Sequence, residues 1–125
     1  MTSFVDANVI IKAFTNNIDQ EKCRNVLNGA FITNTLCMVE VQQAISVITK
    51  DKMLAADCVK SLLRSGGKIV PLDINLLFES YKRTSRENLN AFDLVHLATA
   101  VSQHCGSICS YDKDFDGLEI KRTEP

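Results

Sequence analysis

The sequence predicts an α/β protein: a three-layer α/β/α domain around a mainly parallel sheet of four or five strands. Three observations carry this. Short apolar runs alternate with segments whose apolar residues recur at helical spacing, the pattern of a parallel sheet covered on both faces. Turn signals such as Asn28-Gly29 and Gly66-Gly67 separate the segments. The chain has 125 residues, 46% of them hydrophobic and 23% charged, which suits one domain, residues 1–125, with a real core.

In order, residues 2–6 read as a short buried strand closing on Asp6, and a second apolar run, Ala7 to Ile11, follows. Asn16, Asn17 and Asp19 supply turn and N-cap chemistry for a helix from about Gln20 to Leu27, stopped by Asn28-Gly29. Residues 30–33 are a second strand. Val39, Val41, Ala44, Ile45 and Ile48 repeat at helical spacing and predict a helix over 36–48. Another helix runs from about Leu54 to Leu63, ended by Gly66-Gly67. Lys68 to Leu72 is a third strand, and Ile74 to Lys82 a helix with Leu77, Phe78 and Tyr81 on one face. Thr84 to Asn90 is a polar loop. Asp93 opens a helix to about Gln103, residues 107–110 form a fourth strand, and Leu118 to Lys121 a short fifth.

The net charge of −1 advertises no general affinity for nucleic acid, so any such contact needs a local basic patch. No apolar run approaches the roughly 18 residues of a membrane span, and the opening Met1-Thr2-Ser3-Phe4-Val5-Asp6 lacks signal-peptide character. The expectation is a cytoplasmic protein. The five cysteines, an odd number, argue against a disulfide framework. Cys105 and Cys109, with His96 and His104 nearby, lack the paired C-x-x-C spacing of a zinc site; buried free thiols are the expected state.

Four acids stand where strand-like runs give way to turns or helices: Asp6, Glu40, Asp93 and Asp112. Each alone has an ordinary explanation. Asp93 can serve the helix dipole, Asp112 a turn and Glu40 a solvated helix face. Asp6, between two apolar runs, is the hardest to explain that way. Jointly they fall at successive points along the edge of a parallel sheet where strand C-termini and helix N-termini meet, the edge at which ligands bind. Carboxylates gathered there repel, so they take up protons or a cation. For all-oxygen donors that cation is Mg²⁺ or Mn²⁺.

Four blocks then resemble, in order, those of PIN-domain proteins, in particular the small ribonucleases of VapBC-type toxin–antitoxin systems. They are Phe4-Val5-Asp6-Ala7-Asn8, Thr33-Asn34-Thr35 leading to Glu40, Asp93-Leu94-Val95-His96-Leu97-Ala98-Thr99-Ala100, and Ser110-Tyr111-Asp112-Lys113-Asp114-Phe115. The resemblance implies a PIN-like fold and a Mg²⁺- or Mn²⁺-dependent endoribonuclease. It makes Asp6, Glu40, Asp93 and Asp112 the catalytic, metal-binding quartet. Asn8, Ser110 and, more loosely, Thr35 become supporting polar groups, with Asp114 beside the metal shell or holding the loop. Ser110 stands where the family more commonly has Thr, which keeps the hydroxyl. A homodimer and a small antitoxin partner are further implications. For RNA, the candidate basic contacts are Lys12, Lys82, Arg83 and Arg86.

Rival readings are weaker. Asp112 to Gly117 begins like a calcium loop, but its twelfth position is Thr123 where a bidentate Glu is needed. A phospho-acceptor receiver domain, with Asp73 as acceptor, matches in length and alternation, but the first strand ends in a single acid. A PIN-like binding module that has lost activity sits poorly with retention of all four acids.

Overall fold

The computed structural model describes residues 1–125. Twelve segments build it: β1 (Ser3–Val5), α1 (Ala7–Phe14), α2 (Gln20–Asn28), β2 (Phe31–Asn34), α3 (Thr35–Thr49), α4 (Lys52–Leu63), β3 (Lys68–Val70), α5 (Ile74–Lys82), α6 (Ala91–Ser102), β4 (Ser107–Cys109), a 3₁₀ turn (Lys113–Phe115) and β5 (Lys121–Thr123). The five strands form one sheet in the order β3-β2-β1-β4-β5, every neighbouring pair parallel. β1 is central. Ser3 lies opposite both Phe31 and Ser107, and Phe4 opposite Ile32 and Ile108.

Parallel strands need crossovers, and these are right-handed. From β1 to β2 to β3 the chain steps one way; from β3 to β4 it steps back past β1. The helices follow: α1 packs on α2 and α3, and α3 on α4, while α5 packs on α6, which crosses β2, β1 and β4. The core lies where these layers meet. Phe4, Val5, Val9, Ile10, Ile45, Leu97, Ile108 and Phe115 are fully buried. The ring of Phe31 fills the space where Gly67 lacks a side chain; a Cβ there would lie 2.2 Å from the ring.

Several boundaries depart from the sequence reading. Residues 7–14, read only as an apolar run, are helical. Asp6 caps α1 by accepting from Ala7 N, and Ala7, Val9, Ile10 and Ala13 face inward. A run of β-branched residues hides a helix when its N-cap doubles as the end of a strand. The last strand begins at Lys121, not Leu118: after the turn at Asp116-Gly117, with Gly117 at φ +74°, the chain bends through residues 118–120 before it joins the sheet. Asn90, not Asp93, caps α6; Asp93 sits in its first turn. The receiver-domain reading fails on topology, since that fold places its third strand beside its first and here β3 is an edge. All five cysteines are free, and no helix is long and apolar enough to cross a membrane.

Candidate active site

The chain leaves β1 toward β2 on one side and leaves β4 toward β5 on the other, so a crevice opens above the C-terminal ends of β1 and β4, which stay paired as far as Val5 and Cys109. Asp6 follows β1 there, and Ser110 follows β4. A cleft of about 380 Å³ opens at this point, lined by Asp6, Asn8, Glu40, Asn90, Phe92, Asp93 and Asp112 among others. The structure thus brings the four predicted acids, from four separate segments, to one cleft.

Asp6 is held rigidly. Its Oδ1 accepts from Ala7 N at 2.8 Å, and its Oδ2 accepts from the Ser110 hydroxyl at 2.7 Å and the Asn8 amide at 3.2 Å. Asn8 and Ser110 are themselves tied: Asn8 Nδ2 donates to Ser110 Oγ at 3.0 Å, and its Oδ1 accepts from Tyr111 N. Ser110 Oγ also accepts from Asp112 N at 3.0 Å, so one hydroxyl links two of the acids. Asp112 in turn caps the 3₁₀ turn by accepting from Asp114 N. The carboxylates of Asp93, Asp112 and Asp114 offer oxygens that all lie within 4.8 Å of one another.

Two of the predicted residues serve elsewhere. Thr35 Oγ1 accepts from Leu72 N at 3.0 Å, pinning the start of α3 to the segment after β3; it does not line the cleft. Arg83 is buried. It donates to Glu79 O, and its Nε lies 3.4 Å from Glu119 without hydrogen-bond alignment, so it braces α5 against the C-terminal segment and is not available to RNA. Lys82 is exposed beside Glu79, Arg86 is exposed, and Lys12 bonds Asp19 while lying 5.1 Å above the Tyr111 ring.

The sequence raised His96 only as a zinc ligand beside Cys105 and Cys109 and gave it no part among the acids. Its ring is fully buried, and Nε2 lies 2.7 Å from Glu40 Oε1 and 3.9 Å from Asp6 Oδ1. Burial pulls its pKa down, while Cys37, the Glu40 hydrogen bond and the Asp6 carboxylate pull it up. The hydrogen bonds around the ring oppose a second proton: Asn34 Nδ2 sits 3.1 Å from Nδ1, and its orientation is fixed by three bonds. That geometry is the stronger constraint. The signal that might have exposed His96 is its place one helical turn after Asp93, on the same face.

The crowding leaves an electrostatic mark. Burial first, and then the Asp6 carboxylate, push the Asp93 carboxyl up to about 6, with His96 pulling the other way and Asp112 and Glu40 adding less. Burial also raises Asp6, with His96, Ser110 and Ala7 N working the other way. The folded protein therefore holds protons that the unfolded chain gives up near pH 4. Stability falls as pH rises from about 4 to about 6 through Asp93, and the raised Asp6 carboxyl adds to the fall. Metal-free protein should accordingly melt at a higher temperature at pH 5 than at pH 7, and Asp93→Asn should flatten the difference. A thermal melt series in chelator reads this, and a flat wild-type profile would remove the crowding argument. The donor set fits a hard divalent cation: clustered carboxylate oxygens whose mutual repulsion a cation would relieve.

A family model described as PIN domain matches residues 3–121. No curated protein sequence matches the chain. Among solved structures, the chain is similar to Mycobacterium tuberculosis VapC20, described as a sarcin-ricin-loop-cleaving toxin. That match has a TM-score of 0.84 at 11% identity and covers 99% of this chain and 100% of that one. It is similar also to a toxin–antitoxin complex from Klebsiella pneumoniae, with TM-score 0.74, 14% identity, and 94% and 93% coverage. A third is VapBC2 from Rickettsia felis bound to a fragment of its promoter DNA, with TM-score 0.73, 13% identity, and 99% and 98% coverage.

Proposed function

This chain belongs to the PIN domain family, and from that premise we propose that it is a metal-dependent endoribonuclease cleaving single-stranded RNA, the toxin of a toxin–antitoxin pair. The observation that carries the reading is the convergence of Asp6, Glu40, Asp93 and Asp112 on one cleft at the sheet switch point. Asp6, Asp93, Asp112 and Glu40 would hold one or two Mg²⁺ or Mn²⁺ ions, with Asp114 at the margin. Bound there, the metal supplies water activation near neutral pH and charge neutralisation at the phosphoryl oxygens. The chain's own residues do the rest. Ser110 and Asn8 keep Asp6 aimed into the cleft, and Ser110 holds Asp112 in register with it. The dipole of α6 favours the ionised form of Asp93.

Single-stranded substrate is supported by Phe92, a half-exposed ring on the cleft wall that offers an unpaired base a stacking face. With Arg83 excluded, the candidate backbone contacts are Lys82 and Arg86, both exposed at the end of α5 and in the loop beyond it, and Lys12, half-buried and paired with Asp19. A small protein antitoxin, supported by the likeness to toxin–antitoxin complexes, and a homodimer, implied by the family resemblance alone, complete the proposal.

The purified protein should cleave single-stranded RNA with Mg²⁺ or Mn²⁺ and fall to background in EDTA, recovering when metal is returned. Full cleavage in EDTA, with the Asp93→Asn protein purified identically as a contamination control, would exclude the mechanism.

A further inference from the structure

We propose that His96 is a positioning residue for Glu40: it donates a fixed proton from Nε2 to Glu40 Oε1, and Asn34 sets the ring tautomer that makes this possible. The inference rests on the nuclease reading above, because Glu40 is assigned there as a metal-binding carboxylate.

The argument is one of hydrogen-bond direction. Asn34 Oδ1 accepts from Cys37 N at 2.8 Å as the N-cap of α3, which fixes which end of the amide is which. Asn34 Nδ2 therefore donates both its hydrogens, to Thr99 Oγ1 at 2.9 Å and to His96 Nδ1 at 3.1 Å. Thr99 is free to accept because its own proton goes to Val95 O at 2.8 Å. His96 Nδ1 is then an acceptor, so the ring proton is on Nε2, 2.7 Å from Glu40 Oε1. Asn34, His96 and Thr99 have no exposed surface, so water does not compete for these bonds.

Glu40 needs such a restraint more than the other acids do. Its side chain is long and partly exposed, and the other hydrogen bonds in the cleft restrain the shorter Asp6 and Asp112. Binding through Oε1 leaves Oε2 to the cleft. Partners of this kind behind a metal-binding carboxylate set its orientation and so the affinity of the site.

A soft-metal site is the competing interpretation, since donor atoms of Asp6, Cys37 and His96 also lie within 4.8 Å of one another. A metal on Nε2 would force the ring proton to Nδ1, where it would face the Asn34 amide hydrogens. The amide cannot turn round without setting its NH₂ against Cys37 N. The pocket behind Glu40 is built for a proton.

Three measurements on the full chain test this. In nitrogen-labelled wild-type protein with His104→Gln used to assign the signals, the His96 ring should show protonated Nε2 and bare Nδ1 at neutral pH. Mn²⁺ affinity, read by calorimetry, should fall on the order of 10–100-fold in His96→Leu. It should recover largely in His96→Gln, whose amide can donate to Glu40. Cleavage should follow the same ranking, and in a Glu40→Gln background His96→Leu should cause no further loss. A proton on Nδ1, tight zinc binding that Cys37→Ser abolishes, equal defects in the Leu and Gln variants, or multiplicative losses with Glu40→Gln would each overturn the inference. If the wild type binds Mn²⁺ but cleaves no RNA, the nuclease reading fails, while the ring spectrum and the Mn²⁺ ranking still decide the role of His96.

Discussion

Asp93→Asn is expected to abolish RNA cleavage while raising the melting temperature of the metal-free protein. Both effects come from one cause. Asp93 lies in a cleft with Asp6, Glu40 and Asp112, and its carboxyl is pushed up to about 6 by burial and by those neighbours. At pH 7 its charge costs stability, and a neutral isostere removes that cost. Under the proposed mechanism the same charge is needed to hold the cation. Loss of one preorganised electrostatic group costs on the order of 10²–10³-fold, and loss of a metal-binding carboxylate should cost at least as much. Asp6→Asn should abolish cleavage equally but behave oppositely in a melt. Asp6 Oδ2 accepts from both Ser110 and Asn8. An amide NH₂ in its place would face two donors and leave buried groups unsatisfied, a cost of about 1–3 kcal/mol. Melts in EDTA beside cleavage assays in Mn²⁺ read both quantities. Similar melting shifts for the two variants would show that crowding does not govern this cleft.

Under the proposed function, expression of the chain alone should arrest growth. Expression of the Asp93→Asn variant should not, and co-expression of a small protein partner should relieve the arrest. The structure offers that partner two adjoining features. Beside the acidic cleft runs a groove lined entirely by apolar side chains: Leu36, Leu72, Leu77, Tyr81, Ala91, Phe92 and Val95. Phe92 borders both groove and cleft. A segment docking apolar side chains in the groove would bring an Arg or Lys within reach of Asp93. A charge-assisted bidentate pair there would take the oxygens the metal needs. Co-purification from the native operon should recover such a partner, and reversing charge at its inserted basic residue should restore cleavage. If the wild-type chain is harmless at high expression and recovers no partner, the toxin assignment falls and the nuclease assignment is judged on the EDTA experiment alone.

Much of this was legible from residue order. The strand segments before Asp6, Asn34 and Ser110 stand out because short apolar runs end in polar residues. The helices α3, α5 and α6 stand out by apolar residues at helical spacing, and α2 and α4 by the turn signals that bound them. α1 was not legible. Its Val-Ile-Ile run is as apolar as a strand, and the helix shows only in three dimensions, where Asp6 caps it and Ala7, Val9, Ile10 and Ala13 face inward. Thr35 shows the reverse error. It lies in the block where a polar supporting residue is expected, yet its hydroxyl reaches Leu72 N, on a segment whose position depends on the pairing of β2 with β3.

The sequence by itself determined the fold class, the four acids and the order in which they occur. Periodicity and turn chemistry are local, and the strand–helix alternation places acids along one sheet edge whatever the details of packing. The tertiary structure alone decided which polar groups serve those acids. Arg83 and Arg86 are three residues apart in one basic cluster, but the packing of α5 buries the first against Glu79 and Glu119 and leaves the second in solvent. His96 reads in sequence as one more residue of an apolar helix. It becomes a partner of Glu40 because α3 and α6 bring together two residues 56 positions apart in the chain. A hydrogen bond needs its two atoms within about 3 Å, and that distance is set by how whole helices pack, which no local pattern encodes.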